Sequence, residues 1–168
     1  MDPSQLLLLI DFAVKAHSSN GSKEATRRWD RKTPYSIHPI WCATMLLHES
    51  LLPERLRDEG SQALLLHDIK EDTEEELPSL ISSRVAAFVD GMTFASFDEE
   101  VEKIWEREDE IKLLKLYDKA SNLLDGIWMD DEKWNRYCDF VQLLIESVET
   151  EYGKLNITKI ARAIAIRR

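Results

Sequence analysis

The sequence contains few of the residues that form tight turns. It has five glycines and five prolines among 168 residues, and this is about half of the usual share in globular proteins. An all-β sandwich or barrel needs many turn residues between its short strands. The composition therefore disfavours those folds and favours a chain built from helices.

Cysteine is almost absent. The two cysteines, Cys42 and Cys138, are far apart and form no CxxC pair, so we expect neither a disulfide framework nor a cysteine zinc site. Two free thiols are typical of a reducing compartment. A chain of this length can bury roughly 70% of its unfolded surface without such cross-links. We therefore expect one domain that spans residues 1–168.

Long hydrophobic runs are also missing. The apolar run nearest the N-terminus, residues 6–10, is about half as long as a signal-peptide core, and it follows Asp2 rather than a basic residue. No segment approaches the ~20 apolar residues of a membrane span. We expect a soluble, cytoplasmic protein that has no membrane partner.

Positive charge is in the minority. The 22 lysine and arginine residues against 32 aspartate and glutamate residues give a net charge of -10, which disfavours a nucleic-acid partner. An anionic substrate would have to meet a local basic cluster or a metal ion. A basic loop over residues 18–34 stands out in this acidic chain and is typical of a functional segment. Its basic residues are Lys23, Arg27, Arg28, Arg31 and Lys32.

The spacing of apolar residues predicts a run of helices and no strand. The third helix is apolar nearly all round at residues 63–66, so we expect it to be central. Gly91 and Gly153 are expected to end helices, and Asp130 to begin one. The predicted helices cover about residues 3–17, 40–52, 61–69, 80–90, 96–123 with one break, 130–152 and 158–167.

Two capping boxes are predicted from serine or threonine followed three residues later by glutamate. One is formed by Thr73 and Glu76, and the other by Ser96 and Glu99. Pro53 is expected to stop the second helix.

The sharpest motif is His67-Asp68-x-x-Glu71-Asp72, directly after the apolar residues 63–66. At about 100° per residue, the four side chains fall within an arc of roughly 140° on a helix. One helix end then projects an imidazole and three carboxylates in the same direction, and such a cluster repels itself unless a cation is bound. The alternative is a solvated acidic helix end, which the apolar preceding turn argues against.

Two further metal-ligand candidates are His38, within the segment PYSIHP, and Asp118, within KLYDKASNL. With His67 and Asp68 they make a mixed nitrogen and oxygen set that suits Mn²⁺, Fe²⁺, Ni²⁺ or Zn²⁺. Taken singly, His38 could be a turn histidine beside prolines and Asp118 an ordinary surface carboxylate. Their joint occurrence favours a metal site.

The order His38, His67-Asp68, Asp118 resembles the H…HD…D signature of the HD-domain metal-dependent phosphohydrolases. The segments PYSIHP, ALLLHDIKEDT, VDGMTF and KLYDKASNL resemble the hydrolase domain of the RelA/SpoT family, and especially its stand-alone small alarmone hydrolases. The resemblance covers about residues 12–122, and the helices over residues 130–168 would complete the bundle.

The resemblance implies an all-α, single-domain HD helical bundle with a central metal site. One Mn²⁺ ion, or another divalent transition metal, would be held by His38, His67, Asp68 and Asp118. The implied reaction removes the 3′-pyrophosphate of ppGpp or pppGpp and gives GDP or GTP and pyrophosphate. Glu71 and Asp72 would be the catalytic carboxylates, acting on water or on the leaving oxygen.

The resemblance also indicates substrate-binding residues. The basic pair ahead of PYxxHP corresponds to Arg27 and Arg28, although Arg31 and Lys32 compete for that role, and Asn122 matches a nucleotide-contacting asparagine. Weaker candidates are Lys115, about one turn before Asp118, and Lys133 with Tyr137, which could stack on a base. The alternative for Arg27 and Arg28 is a solvated basic loop, and the alternative for Tyr137 is a place in the core. The sequence departs from the family pattern at Trp29, Asp30 and Tyr117.

Two other functions stay open at this point. The same metal chemistry could remove a phosphate from NADPH or another nucleotide, and the chain could instead be a non-catalytic nucleotide-binding HD module. The non-catalytic module could also bind a partner protein. The expected partner is a small-molecule nucleotide, and a homo-oligomer is possible.

Overall fold

A computed structural model describes residues 2–18, 22–23 and 25–166, and the statements below refer to those residues. They form nine α-helices, two single turns of 3-10 helix and no β-strand, which confirms the predicted all-α class. The α-helices are α1 Pro3–Ser18, α2 Ile37–Leu47, α3 Glu54–Leu66, α4 Ile69–Asp72, α5 Ser83–Met92, α6 Phe97–Lys103, α7 Asp109–Leu124, α8 Asp131–Tyr152 and α9 Asn156–Ala165. The 3-10 turns are Ile104–Glu106 and Gly126–Trp128.

Several helix ends follow from the capping residues in the sequence. Ser96 begins α6 and its hydroxyl accepts a hydrogen bond from the amide of Glu99, while Asp130 begins α8 and accepts one from the amide of Lys133. Each cap satisfies an amide that has no partner within its helix. Gly153 ends α8 with φ of 75°, a conformation that costs glycine little. These three predictions are confirmed.

The centre of the bundle is α3, with α7 beside it. Helix α3 packs against α1, α2, α5 and α7, and α7 also contacts α8 and α9. Residues 63–66 of α3 are buried, as predicted. Gly60 allows this close packing, because a Cβ at that position would lie 2.8 Å from Leu46 Cδ2 of α2 and 3.0 Å from Leu114 Cδ2 of α7.

Other boundaries differ from the predictions. Helix α2 begins and ends earlier than expected, and Pro53 precedes α3 instead of stopping α2. Gly91 lies inside α5, where a Cβ would come within 2.7 Å of Ile111 Cδ1, so its role is close packing rather than termination. Thr73 follows the last residue of α4 rather than beginning a helix, and its hydroxyl donates to the carbonyl of Ile69.

The basic loop is folded back on itself ahead of α2. The amide of Arg27 donates to the carbonyl of Thr33 at 2.8 Å, and the amide of Tyr35 donates to the carbonyl of Ala25 at 3.0 Å. Lys23 then joins the loop to α4, because its amide donates to the carbonyl of Asp72 at 2.8 Å. These bonds place the loop beside the His67-Asp68 motif. Within the described ranges, no helix is long and apolar enough to cross a membrane.

Candidate active site

Four potential metal ligands meet where the central helices converge. His38 lies in the first turn of α2, His67 follows the last residue of α3, Asp68 precedes α4, and Asp118 lies in the second half of α7. All four side chains are buried. The packing of α2, α3 and α7 therefore brings together residues that are up to 80 positions apart in the sequence.

The ligand atoms of both carboxylates lie close to the two imidazole Nε2 atoms. His38 Nε2 lies 3.2 Å from His67 Nε2, 3.4 Å from Asp68 Oδ2 and 3.4 Å from Asp118 Oδ1. His67 Nε2 lies 3.2 Å from Asp68 Oδ2 and 3.7 Å from Asp118 Oδ1. Tetrahedral ligands at about 2.1 Å from an ion are about 3.4 Å from one another. The donor set and its spacing therefore fit a divalent metal ion.

The two imidazoles are oriented by bonds on their far side. His67 Nδ1 lies 2.8 Å from the carbonyl oxygen of Leu64, and His38 Nδ1 lies 2.8 Å from Ser121 Oγ. A carbonyl oxygen only accepts, so His67 carries its proton on Nδ1 and directs the lone pair of Nε2 into the cluster. Such outer hydrogen bonds are the usual way in which metal-binding histidines are fixed.

The two carboxylates also have polar partners. The hydroxyl of Tyr35 donates to Asp68 Oδ2 at 2.8 Å, and Asn122 Nδ2 donates to Asp118 Oδ1 at 2.7 Å. Lys115 Nζ and Lys119 Nζ each lie 3.1 Å from Asp118 Oδ2. Burial alone would raise the pKa of Asp118, but the two ammonium groups hold that pKa well below its usual value. Asp118 is therefore ionised at neutral pH, which is the form in which a carboxylate can bind a metal ion.

Glu71 and Asp72 lie in the short helix α4, and the expected single helix over residues 61–69 is wrong, because α3 ends at Leu66 and α4 begins at Ile69. The amide of Asp72 still donates to the carbonyl of Asp68 at 2.8 Å. The amide of Phe94 donates to Glu71 Oε1 at 3.0 Å. Burial raises the pKa of Glu71, against an opposing effect of Lys115, and burial together with the charge of Asp68 raises the pKa of Asp72 to about 6. Carboxyl groups with raised pKa values can exchange protons near neutral pH.

A cavity of about 290 Å³ opens beside this cluster. Glu71, Asp68 and Asp118 lie in its wall. All the residues that we predicted to bind substrate also line it, namely Arg27, Arg28, Lys115, Asn122, Lys133 and Tyr137. The fold thus gathers residues from the basic loop, α4, α7 and α8 around one space, although their individual roles stay predictions.

The two arginines of the basic loop have different surroundings. Arg27 is buried: its Nε lies 2.8 Å from Asp125 Oδ2, and its Nη2 donates to the carbonyl of Ser121 at 3.2 Å. Arg28 is exposed, and its guanidinium lies 4.5 Å from the ring centre of Trp128. Lys133 Nζ approaches the same ring at 4.4 Å. Arg27 is therefore fixed in the cavity wall, whereas Arg28 and Lys133 flank an indole at the cavity.

The half-buried Tyr137 lines the cavity but is covered in part. The ring of Phe97 stacks on it with centroids 4.3 Å apart and an interplanar angle of 15°. Lys119 Nζ lies 5.8 Å from each of the two ring centres. The predicted stacking of a base on Tyr137 would therefore use ring area that Phe97 leaves open.

Comparison with known proteins adds to this geometry. No family model matches the chain. The Danio rerio protein named guanosine-3′,5′-bis(diphosphate) 3′-pyrophosphohydrolase MESH1 is 34% identical over 140 residues, which cover 77% of this chain and 73% of that protein. The Homo sapiens protein of the same name is 30% identical over 146 residues, which cover 81% of this chain and 77% of that protein. This chain belongs to the MESH1 family.

The fold agrees with that assignment. A solved structure described as a metazoan ortholog of SpoT that hydrolyses ppGpp matches with a TM-score of 0.74 at 21% identity. The match covers 98% of this chain and 95% of that chain, and at this identity it shows the shared fold. The resemblance to small alarmone hydrolases in the sequence is confirmed.

The departures from the family pattern lie in two different places. Tyr117, which precedes Asp118, is buried in the core. Trp29 is 56% exposed and its amide donates to Asp125 Oδ1 at 2.8 Å, so the loop remains anchored to α7. Asp30 accepts bonds from the amides of Lys32 and Thr33 and shapes the turn of the loop.

The residues that line the cavity of this MESH1 family member without having been predicted as site residues include Glu100, Asp125 and Trp128. Asp125 had a usable signal, because it lies seven residues after Asp118 and therefore on the same side of the α7 helix. Glu100 had none, since it belongs to an acidic stretch that resembles a solvated helix face. Arg31 and Lys32, the competing basic residues, do not line this cavity.

Proposed function

We propose that this protein hydrolyses the 3′-pyrophosphate of ppGpp and pppGpp and releases GDP or GTP and pyrophosphate. The observation that carries the proposal is membership of the MESH1 family together with the buried His-Asp cluster at the wall of a cavity rich in basic side chains. A phosphorylated nucleotide is the substrate class that such a cavity suits.

His38, His67, Asp68 and Asp118 would hold the metal ion. The mixed imidazole and carboxylate donors suit several divalent transition metals, and we propose Mn²⁺ because the resemblance to the RelA/SpoT-type hydrolases implies it. When bound, a divalent ion polarises phosphoryl oxygens and lowers the pKa of water. Tyr35, Ser121 and the carbonyl of Leu64 keep the ligands in place through the bonds described above.

Glu71 and Asp72 would handle the protons of the reaction. Glu71 lines the cavity, and its Oε1 is fixed by the amide of Phe94. Oε2 is then the oxygen that orients the attacking water or carries a proton to the leaving ribose oxygen. The pKa of about 6 at Asp72 suits proton exchange near neutral pH. A module that only binds nucleotides has no need of these two carboxyl groups.

The basic side chains would bind the phosphates of the substrate. Arg27 is held at the cavity wall by Asp125, so its orientation costs little entropy on binding. Arg28 and Lys133, which flank Trp128, would meet the part of the nucleotide farther from the metal ligands. Charge-assisted bonds of this kind are about twice as strong as neutral ones.

The test is a screen of the purified, Mn²⁺-loaded protein against ppGpp, pppGpp, NADPH and simple nucleotides, with each product identified by mass spectrometry. We expect pyrophosphate and GDP or GTP from the two alarmones, and no turnover after Asp68→Ala. Turnover of NADPH alone, with release of orthophosphate, would replace the proposal by a nucleotide phosphatase. Binding without any turnover would indicate a non-catalytic module.

A further inference from the structure

A cluster of buried charges lies next to Asp118 and supplies none of the proposed metal ligands. It consists of Lys115, Lys119 and Glu100, and we name it the lysine-glutamate cluster. The three residues expose only 2%, 5% and 4% of their surface, and all three line the cavity. Lys119 Nζ lies 2.8 Å from Glu100 Oε2, and Lys115 Nζ lies 3.5 Å from Glu100 Oε1.

Glu100 is set apart from the other acidic residues of its helix. It is the buried residue of α6, whereas Asp98 and Glu102 are exposed. A buried carboxylate is costly unless it is paired, and the partners of Glu100 are two lysines of α7. The inward position of this one glutamate is therefore explained by the need to neutralise Lys115 and Lys119.

The cluster retains unused hydrogen-bonding capacity. Glu100 Oε1 is buried and accepts no hydrogen bond from the described residues, since Lys115 approaches it only as an ion pair at 3.5 Å. Each ammonium group has three N–H donors, and Asp118 and Glu100 are the acidic groups within ion-pair distance of both lysines. A phosphate that enters the cavity therefore meets two cations that share Glu100 and Asp118 as counter-ions.

We propose that Glu100 is the built-in counter-ion of a phosphate subsite formed by Lys115 and Lys119. It holds the two ammonium groups in position before the substrate binds, and its negative charge limits how tightly the pyrophosphate product is held. Glu100 is thus a positioning residue that sets affinity for phosphate and the rate of product release. The role of pyrophosphate as product rests on the proposed function, but the phosphate subsite does not.

The decisive change is Glu100→Gln, which keeps the size of the side chain and removes its charge. Removal of a unit charge a few ångström from a bound anion is expected to tighten binding of inorganic pyrophosphate by about tenfold or more. The matched control is Glu102→Gln, which makes the same change on the exposed face of α6. Lys119→Met removes one of the two cations and is expected to weaken binding by about tenfold.

The measurement is calorimetric titration of inorganic pyrophosphate into the Mn²⁺-loaded full-length protein and its variants. In steady-state assays Glu100→Gln should lower KM and kcat together and increase product inhibition by pyrophosphate, a pattern that a merely structural role would not produce. If the folded, metal-loaded Glu100→Gln protein binds pyrophosphate as the parent protein does, or more weakly, the proposal is overturned.

A second comparison keeps the proposal testable if Glu100→Gln does not fold. The double variant Lys119→Met, Glu100→Gln removes one charge of each sign, and it should bind pyrophosphate at least about fivefold more tightly than Lys119→Met alone. Equal affinities would overturn the proposal. Because the probe contains no nucleotide, a protein that fails to hydrolyse ppGpp but follows this order of affinities would refute the proposed function alone.

Discussion

Replacement of Tyr35 by phenylalanine tests how the hydrogen bonds around the metal ligands contribute to the site. The hydroxyl of Tyr35 is buried and donates to Asp68 Oδ2 at 2.8 Å. Phenylalanine keeps the ring, which lies 4.8 Å from the ring of His17 and 5.6 Å from that of His38, so packing is preserved. The change therefore removes the hydroxyl and leaves the rest of the side chain in place.

The loss of that bond should weaken metal binding and alter proton exchange. A hydrogen bond to a charged group contributes about 1.5–3 kcal/mol, and the loss of an outer partner of a metal ligand typically costs about 10- to 100-fold in metal affinity. The Tyr35 hydroxyl also favours the ionised form of Asp72 and thereby lowers its pKa. Without the hydroxyl, the pKa of Asp72 rises above its value of about 6, so the acidic limb of the pH-rate profile should shift to higher pH.

Both effects can be measured on the same preparation. Mn²⁺ affinity is obtained by calorimetry, and the pH-rate profile is recorded at saturating Mn²⁺ so that the two effects are separated. Tyr152→Phe, at the end of α8, is the matched control. An unchanged Mn²⁺ affinity in Tyr35→Phe, with the fold intact by circular dichroism, would refute the reasoning.

The remaining predictions concern the ligands, the acid-base pair, the arginines and the coupling between ion and substrate. Asp68→Ala should lose bound metal, and metal content by mass spectrometry equal to that of the parent protein would contradict the ligand assignment. The double change Glu71→Gln, Asp72→Asn should retain metal but reduce kcat by about 10²- to 10⁴-fold, measured by product release under Mn²⁺ saturation. Arg27→Met breaks a buried ion pair and should destabilise the protein by about 3 kcal/mol in urea titrations. Arg28→Met, at an exposed side chain, should destabilise it less and should weaken 3′-pyrophosphate substrates more than 3′-monophosphates. Pyrophosphate should raise Mn²⁺ affinity by the same factor by which Mn²⁺ raises pyrophosphate affinity, and calorimetric titrations in both orders check this equality.

The features that could be predicted from the sequence are those encoded over a few residues. Ser96 and Asp130 cap helices because each side chain bonds an amide three residues ahead. The spacing of His67, Asp68, Glu71 and Asp72 likewise defines a local arrangement. His38 and Asp118 were added to it as candidate ligands by their residue types and by the resemblance to the hydrolase family.

The features that escaped prediction depend on partners far along the chain. Glu100 is acidic within an acidic helix, and only the position of the α7 lysines in the fold distinguishes it from its exposed neighbours. A glycine at the end of an apolar helical pattern, such as Gly91, usually marks the end of a helix. Here glycine is required by a contact with Ile111, which belongs to α7. A local pattern cannot distinguish a buried glutamate from an exposed one, or a glycine needed for packing from one that ends a helix, because the residue types are the same.

The charges of the cavity explain how an acidic protein can accept a polyanionic substrate. The chain carries a net charge of -10, but the cavity wall contains as many basic as acidic residues. The cavity is therefore less negatively charged than the rest of the protein. A divalent ion bound at the His-Asp cluster would then make the interior net positive, and the attraction for phosphate would depend on the ion being bound. The acidic exterior would meanwhile repel nucleic acids and other polyanions that are too large for the cavity. The basic residues of the wall are Arg27, Arg28, Lys115, Lys119 and Lys133, and the acidic ones are Asp68, Glu71, Glu100, Asp118 and Asp125.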